Sequence, residues 1–144
     1  MIVKHRRRKS KKAKRGVHLS PKSTEPIHYR SSWELEFASW MDVQENIISY
    51  SYEPFSIVYV SNIKTGRTRR YFPDFKVDYV DGTTRLIEIK PKKKLTNVTN
   101  VKKFLAASLY CAERRIVFQV LTEEHLRALG LLKRKSVTRR GKRK

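Results

Sequence analysis

Residues 69–92 read RRYFPDFKVDYVDGTTRLIEIKPK, and the fold of the middle of the chain depends on this stretch. Runs of aromatic and β-branched residues lie on both sides of Asp81-Gly82, a pattern typical of two antiparallel strands joined by a tight turn. Because side chains alternate between the two faces of a strand, Glu88 and Lys90 point to the same face. The stretch therefore predicts a β-hairpin whose second strand carries a carboxylate and an amine on one face.

The length of the turn decides whether Asp74 can reach Glu88. A two-residue loop would put the two carboxylates on opposite faces of the hairpin, because a shift of one residue in register turns every side chain over. A three-residue loop over 80–82, with Gly82 in a left-handed conformation, pairs Asp74 with Glu88 instead. A bulge nearer Asp74 would have the same effect. We predict the three-residue loop and a positive φ angle at Gly82.

Two carboxylates and a lysine on one face suit a hard divalent cation. Mg²⁺ takes carboxylate oxygens, waters and substrate phosphates in octahedral geometry. Such an ion can activate a water and neutralise charge on a phosphodiester under attack. Acidic and basic residues are also common on solvated surfaces, and a Pro-Asp pair more often opens a turn than a catalytic strand. The strand-like runs around the acids and the formal net charge of +21 favour a metal-dependent nuclease.

Positive charge is concentrated at the two ends of the chain. Residues 1–22 hold ten Lys and Arg and residues 133–144 hold eight, whereas all 13 acids lie in 23–132. Blocks of like charge repel themselves and have little to bury, so we predict a disordered basic arm (1–22), a nuclease domain (23–132) and a basic tail (133–144). DNA or another polyanion is the expected partner. An anionic membrane surface and a ribosomal-type structural role are the alternatives for such tails.

Several function classes find no support in the composition. The single cysteine, Cys111, allows neither an intrachain disulfide nor a cysteine-based metal cage. The four histidines lack the spacing of zinc ligands. No apolar run reaches the roughly 18 residues that indicate a membrane span. We therefore expect an intracellular protein with no membrane partner.

The remaining patterns predict the element order αββββαβα, a mixed α/β (α+β) fold whose central mixed sheet is flanked by helices. Apolar residues at 3–4 spacing support a long helix, namely Val98, Val101, Leu105 and Leu109. Helices are expected over 32–43, over 97–113 and after Thr122. Strands are expected over 47–52, 55–61, 67–80, 83–90 and 115–121.

Four motifs occur in order: YRSSWE (29–34), ISYSYEPFSIVYV (48–60), RRYFPDF (69–75) and IEIKPK (87–92). They resemble the PD-(D/E)xK nuclease superfamily, in particular the N-terminal catalytic domain of the TnsA transposon endonuclease and the small head-completion type nucleases of tailed phages. The resemblance covers about 28–121 and implies a restriction-endonuclease-like core. It also implies a metal-dependent DNA endonuclease that leaves 5′-phosphate and 3′-hydroxyl ends.

The same resemblance implies a catalytic set of Glu34, Asp74, Glu88 and Lys90. Asp74 and Glu88 would bind one or two Mg²⁺ ions, for which Mn²⁺ would substitute, with the carbonyl oxygen of Ile89 as a further ligand. Lys90 would orient the attacking water or stabilise charge in the transition state. Glu34 would hold or tune the second ion.

The first helix carries two candidates for the helical carboxylate, Glu34 and Glu36. Glu34 could do no more than close a capping box with Ser31, which leaves Glu36 as the acting carboxylate. Helical geometry does not choose, because both residues lie at similar angles on either side of the apolar face. The motif favours Glu34.

Basic residues near the motifs are candidates for contacts with DNA phosphates. Arg30 and Ser31 precede the first helix, whose N-terminus can bind phosphate. Further candidates follow the last motif and lie on the next helix: Lys92, Lys93, Lys94, Lys102 and Lys103. A solvated charged surface is the alternative for each, and the tyrosines of the second motif are expected to pack within strands.

Three functions remain open from the sequence. The first is a phage-encoded endonuclease for head completion or DNA processing, acting in the host cytoplasm or with the virion, and partnered by a head or portal protein. A TnsA-like enzyme would work with a recombinase, but no second domain that would dock one is visible. The second is a resolvase of Holliday junctions or other branched DNA, for which a homodimer is usual. The third is a non-catalytic nucleic-acid-binding virion protein, against which the intact acids argue, because binding phosphates needs no carboxylates.

Overall fold

Residues 15–132 are the part of the chain that the computed structural model describes. In chain order the strands are β1 (Gly16–His18), β2 (Ile27–Tyr29), β3 (Ile47–Tyr52), β4 (Ile57–Asn62), β5 (Arg67–Tyr71), β6 (Phe75–Tyr79), β7 (Thr84–Ile89) and β8 (Val117–Leu121). The helices are α1 (Ser32–Asp42), α2 (Val98–Glu113) and α3 (Glu123–Ala128), with one turn of 3₁₀ helix at Lys92–Lys94.

A four-stranded sheet in the order β3-β6-β7-β8 forms the centre of the molecule. The first three strands run antiparallel to their neighbours, whereas β8 runs parallel to β7. A parallel pair needs a crossover connection, which α2 supplies. The predicted mixed sheet flanked by helices is therefore confirmed. The strand pairs β1–β2 and β4–β5 form two small separate sheets.

Helices cover both faces of the central sheet. On one face α1 and α3 pack around Phe37, Phe75 and Ile87, which are at most 2% exposed. On the other face α2 and the β4–β5 hairpin pack around Tyr71 and Leu86. Each large apolar side chain buried here stabilises the fold by roughly 1.5–3 kcal/mol.

The β6–β7 hairpin has the predicted register. Phe75 pairs with Ile87, and the Tyr79 N–H donates to the Thr83 carbonyl at 2.9 Å, which leaves three residues in the loop. Gly82 has a φ angle of 85°, in the left-handed region that glycine adopts without a steric penalty. Both predictions about this turn are confirmed. Continued by one step, the register brings the residue before β6 opposite Glu88.

The strand predicted over 67–80 is wrong, because the structure divides it into β5 and β6. Pro73 lies between them and lacks the N–H that a central strand would use. As a result β5 pairs with β4, while β6 pairs with β3 and β7. The break places Asp74 at the junction between the β4–β5 hairpin and the central sheet.

The expected boundary of the basic arm at residue 22 differs from the structure. Residues 16–18 form β1, which pairs with β2. The Lys22 ammonium donates to the Met41 carbonyl at 2.9 Å and also to the Gln44 carbonyl, at the end of α1 where carbonyl groups lack helical partners. The predictions for residues 1–14 and 133–144 fall outside the described residues.

The apolar stripe of α2 faces away from the core. Its four residues are between 49% and 68% exposed: Val98, Val101, Leu105 and Leu109. The buried face carries the small residues Ala107 and Cys111, which let the helix approach the sheet closely. Among residues 15–132, no helix has the length and apolar character needed to cross a membrane.

Candidate active site

The four predicted catalytic residues lie together at one edge of the central sheet. Glu34 comes from α1, Asp74 from the junction before β6, and Glu88 and Lys90 from the end of β7. They line a cavity of about 410 Å³. A second opening of about 260 Å³ shares the same four side chains on the side of the β4–β5 hairpin.

Asp74 is held by backbone groups on both sides. Its Oδ2 accepts a hydrogen bond from the Ile89 N–H at 2.8 Å, and its carbonyl accepts one from the Glu53 N–H at 2.8 Å. The chain turns at Pro73 and then enters β6, so the carboxylate lies against the end of β7. The backbone thus fixes the position of this carboxylate.

Glu88 is 4% exposed and is held by a tyrosine and a lysine. Its Oε2 accepts from the Tyr71 hydroxyl at 2.6 Å and from the Asp74 N–H at 3.3 Å. Its Oε1 lies 3.5 Å from the Lys90 Nζ. Burial and the charge of Glu88 raise the pKa of the Tyr71 hydroxyl, so that hydroxyl stays protonated and remains a donor.

Glu34 is hydrogen-bonded to the helix cap, Ser31, and faces the cavity. Its N–H donates to Ser31 Oγ at 3.2 Å, and the same hydroxyl donates back to Glu34 Oε2 at 2.9 Å. The Tyr52 hydroxyl donates to Oε1. Glu36 instead accepts from the Leu132 N–H at 3.3 Å. Tertiary packing therefore places Glu34, and not Glu36, beside the other acids.

Burial and mutual repulsion destabilise the ionised acids. Burial raises the pKa of Asp74 well above its usual value, and the negative charges of Glu88 and Glu34 raise it further. Burial also raises the pKa of Glu88, although the hydrogen bond from Tyr71 and the charge of Lys90 oppose this. A cation bound among these carboxylates would relieve the repulsion and lower both pKa values.

The residues present fit a hard divalent cation held largely by water. Mg²⁺ is usually bound through one or two carboxylates, waters and substrate oxygens. Asp74 and Glu88 could supply the carboxylates, and the Ile89 carbonyl a further oxygen. Within 15–132, no three Asp, Glu, His or Cys side chains form a ready-made ligand cage. Glu34 lines the same cavity and could contact the ion through water.

Four of the predicted phosphate-binding residues lie beside the cavity. Ser31 and Lys94 line the larger opening. Arg30 and Lys103 line the smaller one. Arg30 also pairs with Glu53 at 3.4 Å, across the solvent-exposed rim.

The other three predicted residues lie further away. Lys92 forms an ion pair with Glu124, in which the lysine ammonium lies 2.8 Å from Glu124 Oε1. Lys93 is exposed on the 3₁₀ turn. Lys102 donates to the Ser61 carbonyl at 2.8 Å and lines a different cavity.

Sequence reasoning missed the two tyrosines that hold the carboxylates. Tyr52 was expected to pack within a strand, and Tyr71 carried no assignment. Both are buried or half-buried, and a buried tyrosine hydroxyl usually finds a hydrogen-bond partner. Tyr71 lies three residues before Asp74, a predicted metal ligand. That proximity was the signal in the sequence that could have indicated its contact with the site.

Comparison with known proteins is consistent with this geometry. The model of the TnsA-like endonuclease N-terminal family matches residues 44–123. The match spans β3 to β8 and includes Asp74, Glu88 and Lys90, whereas Glu34 precedes it. The protein named Head completion nuclease of Enterobacteria phage T4 is 36% identical to this chain, in an alignment that covers 72% of this chain and 83% of the phage protein.

Proposed function

The chain belongs to the TnsA-like endonuclease family, and from that premise we propose that it is a divalent-metal-dependent DNA endonuclease. Hydrolysis would take place in the cavity that Glu34, Asp74, Glu88 and Lys90 line. The observation that carries the proposal is the pairing of Asp74 with the buried Glu88 at the end of a hairpin, next to Lys90. Two repelling carboxylates in one cavity lower the stability of the fold without a cation, which argues for a role in binding one.

The chemistry divides between the cation and the side chains. A bound Mg²⁺ would lower the pKa of a water and neutralise charge on the phosphodiester. Asp74, Glu88 and the Ile89 carbonyl would hold it, with Mn²⁺ as a substitute. Water attacks phosphorus, the bond to the 3′-oxygen breaks, and the 3′-oxygen takes up a proton. The products are a 5′-phosphate and a 3′-hydroxyl.

Lys90 would act on the attacking water or on the phosphate. Its side chain is 24% exposed and its ammonium is 3.5 Å from Glu88 Oε1, so it reaches both the carboxylate and an entering substrate. An ammonium here stabilises negative charge as it develops on the phosphate oxygens. Glu34, held by Ser31 and Tyr52, lines the same cavity and would orient a water there.

The biological role that we propose follows the phage relative. A nuclease similar to a head completion nuclease would act on DNA during virion assembly in the host cytoplasm, together with a component of the phage head. We favour this over a four-way-junction resolvase or a non-catalytic virion protein because of the identity across most of both chains.

The test compares substrates and ions. Purified full-length protein is incubated with linear duplex DNA, single-stranded DNA, a four-way junction and duplex RNA, each in Mg²⁺, Mn²⁺, Ca²⁺ or EDTA. We expect cleavage of DNA in Mg²⁺ and Mn²⁺ and none in EDTA.

Two variants and a matched control assign the cleavage to the cavity. Asp74→Asn and Glu88→Gln should each abolish it. Glu36→Gln, which changes a carboxylate on α1 outside the cavity, should leave it unchanged. Wild-type protein that cleaves none of the DNA forms in either ion would overturn the proposal.

A further inference from the structure

A second cluster of cations lies outside the catalytic cavity, between the β4–β5 hairpin and α2. Arg67 and Arg69 point to the same face of β5, because they are two residues apart. Together with Lys102 of α2 they line a cavity of about 260 Å³. The other lining residues carry no charge: Tyr59, Ser61, Asn62 and Thr99.

These arginines form no ion pair with an acid of the described residues. The ion pairs formed by residues 15–132 include neither Arg67 nor Arg69. Across the hairpin, Arg69 pairs with Tyr59 and Arg67 with Asn62, which are both neutral.

Three exposed cations elsewhere on the surface do pair with an acid. Arg30, Lys92 and Arg114 each lie within 3.5 Å of a glutamate oxygen. Like charges gathered without counter-charges repel one another, and a polyanion relieves that repulsion on binding. Arg67 and Arg69 lack such partners and lie with Lys102 in one cavity, so a polyanion bound there would relieve their repulsion.

The cluster is continuous with the catalytic cavity. Tyr71 follows Arg69 on the same face of β5 and donates to Glu88 at 2.6 Å. The Lys103 ammonium lies 5.7 Å from the centre of the Tyr71 ring and lines the same opening as Glu88. Cations thus extend along β5 from its first residue to the catalytic carboxylates.

The length of β5 sets the spacing between Arg67 and the catalytic cavity. At about 3.3 Å per residue, Arg67 is roughly 13 Å along the strand from Tyr71. Consecutive phosphates of one DNA strand advance about 3.4 Å along the helix axis. The far end of the cluster is therefore about four nucleotides from the catalytic carboxylates.

We infer that Arg67, Arg69 and Lys102 form a phosphate-binding track that holds the backbone of DNA within about four nucleotides of the bond to be cut. The inference rests on the proposed function for the position of that bond. Arginine suits the task, because its planar guanidinium binds phosphate oxygens in pairs. Contacts to phosphates carry no sequence information, so the track binds DNA of any sequence.

Salt dependence of binding tests the track. Affinity for a 30-base-pair duplex is measured in EDTA over a series of NaCl concentrations, so that no cleavage occurs. Each phosphate contact contributes about −0.9 to the slope of log K against log salt. Arg67→Gln/Arg69→Gln should reduce the magnitude of the slope by about 1.8. Arg67→Lys/Arg69→Lys should restore most of it.

A charge-matched control separates the track from net charge. Arg114→Gln/Arg127→Gln removes two positive charges from other exposed positions and should leave the slope within experimental error of wild type. Equal slopes for wild type and Arg67→Gln/Arg69→Gln, with unchanged melting temperatures, would overturn the track. An equal loss of slope in the control pair would also overturn it, because net charge alone would then explain the effect.

Cleavage gives the second readout. Under single-turnover conditions, Arg67→Gln/Arg69→Gln should raise the enzyme concentration for half-maximal rate by about tenfold or more, because two phosphate contacts are lost. The maximal rate should remain unchanged. A wild-type protein that binds DNA but never cleaves it would refute the proposed function, while the salt slopes would still decide whether the track exists. A lowered maximal rate would contradict a purely binding role.

Discussion

Tyr71→Phe removes one hydroxyl and leaves the packing of the ring in place. In the folded protein that hydroxyl donates to Glu88 Oε2 at 2.6 Å, in a nearly fully buried position. A hydrogen bond to a charged group contributes about 1.5–3 kcal/mol. The bond favours the ionised form of Glu88, which is the form that binds a cation. Its loss should raise the Mg²⁺ concentration for half-maximal cleavage by roughly 10- to 100-fold.

The pH dependence has a defined sign. The hydrogen bond from Tyr71 is the main influence that lowers the pKa of Glu88, in opposition to burial. Without it the pKa of Glu88 rises, and the carboxylate is ionised only at higher pH. The acidic limb of the cleavage rate should therefore move to higher pH in Tyr71→Phe. The assay is initial rate against pH at saturating and at limiting Mg²⁺.

A second buried tyrosine supplies the control. The Tyr50 hydroxyl donates to Asp42 at 2.8 Å, away from the cavity. Tyr50→Phe should lower the melting temperature without changing the Mg²⁺ requirement or the pH profile. If Tyr71→Phe matches wild type in both its Mg²⁺ requirement and its pH profile, the hydroxyl does not position Glu88 for metal binding.

Asp74→Asn should raise the melting temperature in EDTA at pH 7.5 by about 4 °C for each kcal/mol of repulsion removed. Because the pKa of folded Asp74 is raised, its protonated form stabilises the fold at low pH, and this stabilisation is lost as pH rises through that pKa. A melting temperature of Asp74→Asn below that of wild type would contradict this prediction. Mg²⁺ should stabilise wild type and leave Asp74→Asn almost unchanged in calorimetry. Gly82→Ala should cost about 1 kcal/mol in urea unfolding, since φ is 85° and a Cβ meets no atom within 4 Å. Gly82→Asn should cost less, and equal costs would mean that the φ angle is not responsible.

Local sequence signals predicted the hairpin at the centre of the site. The turn at Gly82 and the alternation of side chains on either side are short-range properties, so the register of Phe75 with Ile87 followed from them. The choice between Glu34 and Glu36 did not follow from local geometry. It depends on the partners that surround the helix in the folded protein, Tyr52 on one side and the chain near residue 132 on the other.

Long-range pairing explains the features that were not predicted. A continuous strand over 67–80 overlooked that β5 pairs with β4, whereas β6 pairs with the distant strand β3 and with β7. The contact of Tyr71 with Glu88 depends on that same arrangement. The face of α2 that packs on the sheet carries Ala107 and Cys111. Apolar periodicity alone had favoured the opposite face, which carries the larger apolar residues of the stripe.

The β4–β5 hairpin shares no hydrogen-bonded strand with the central sheet of the described chain. Its base is fixed by Tyr71, but its tip, from Asn62 to Arg67, is exposed. Residues can be inserted or lost at such a tip at little cost in stability. The carboxylates stay in register when the tip changes, because β6 and β7 set that register by themselves. The length of the hairpin that carries Arg67 and Arg69 can therefore change without moving the carboxylates.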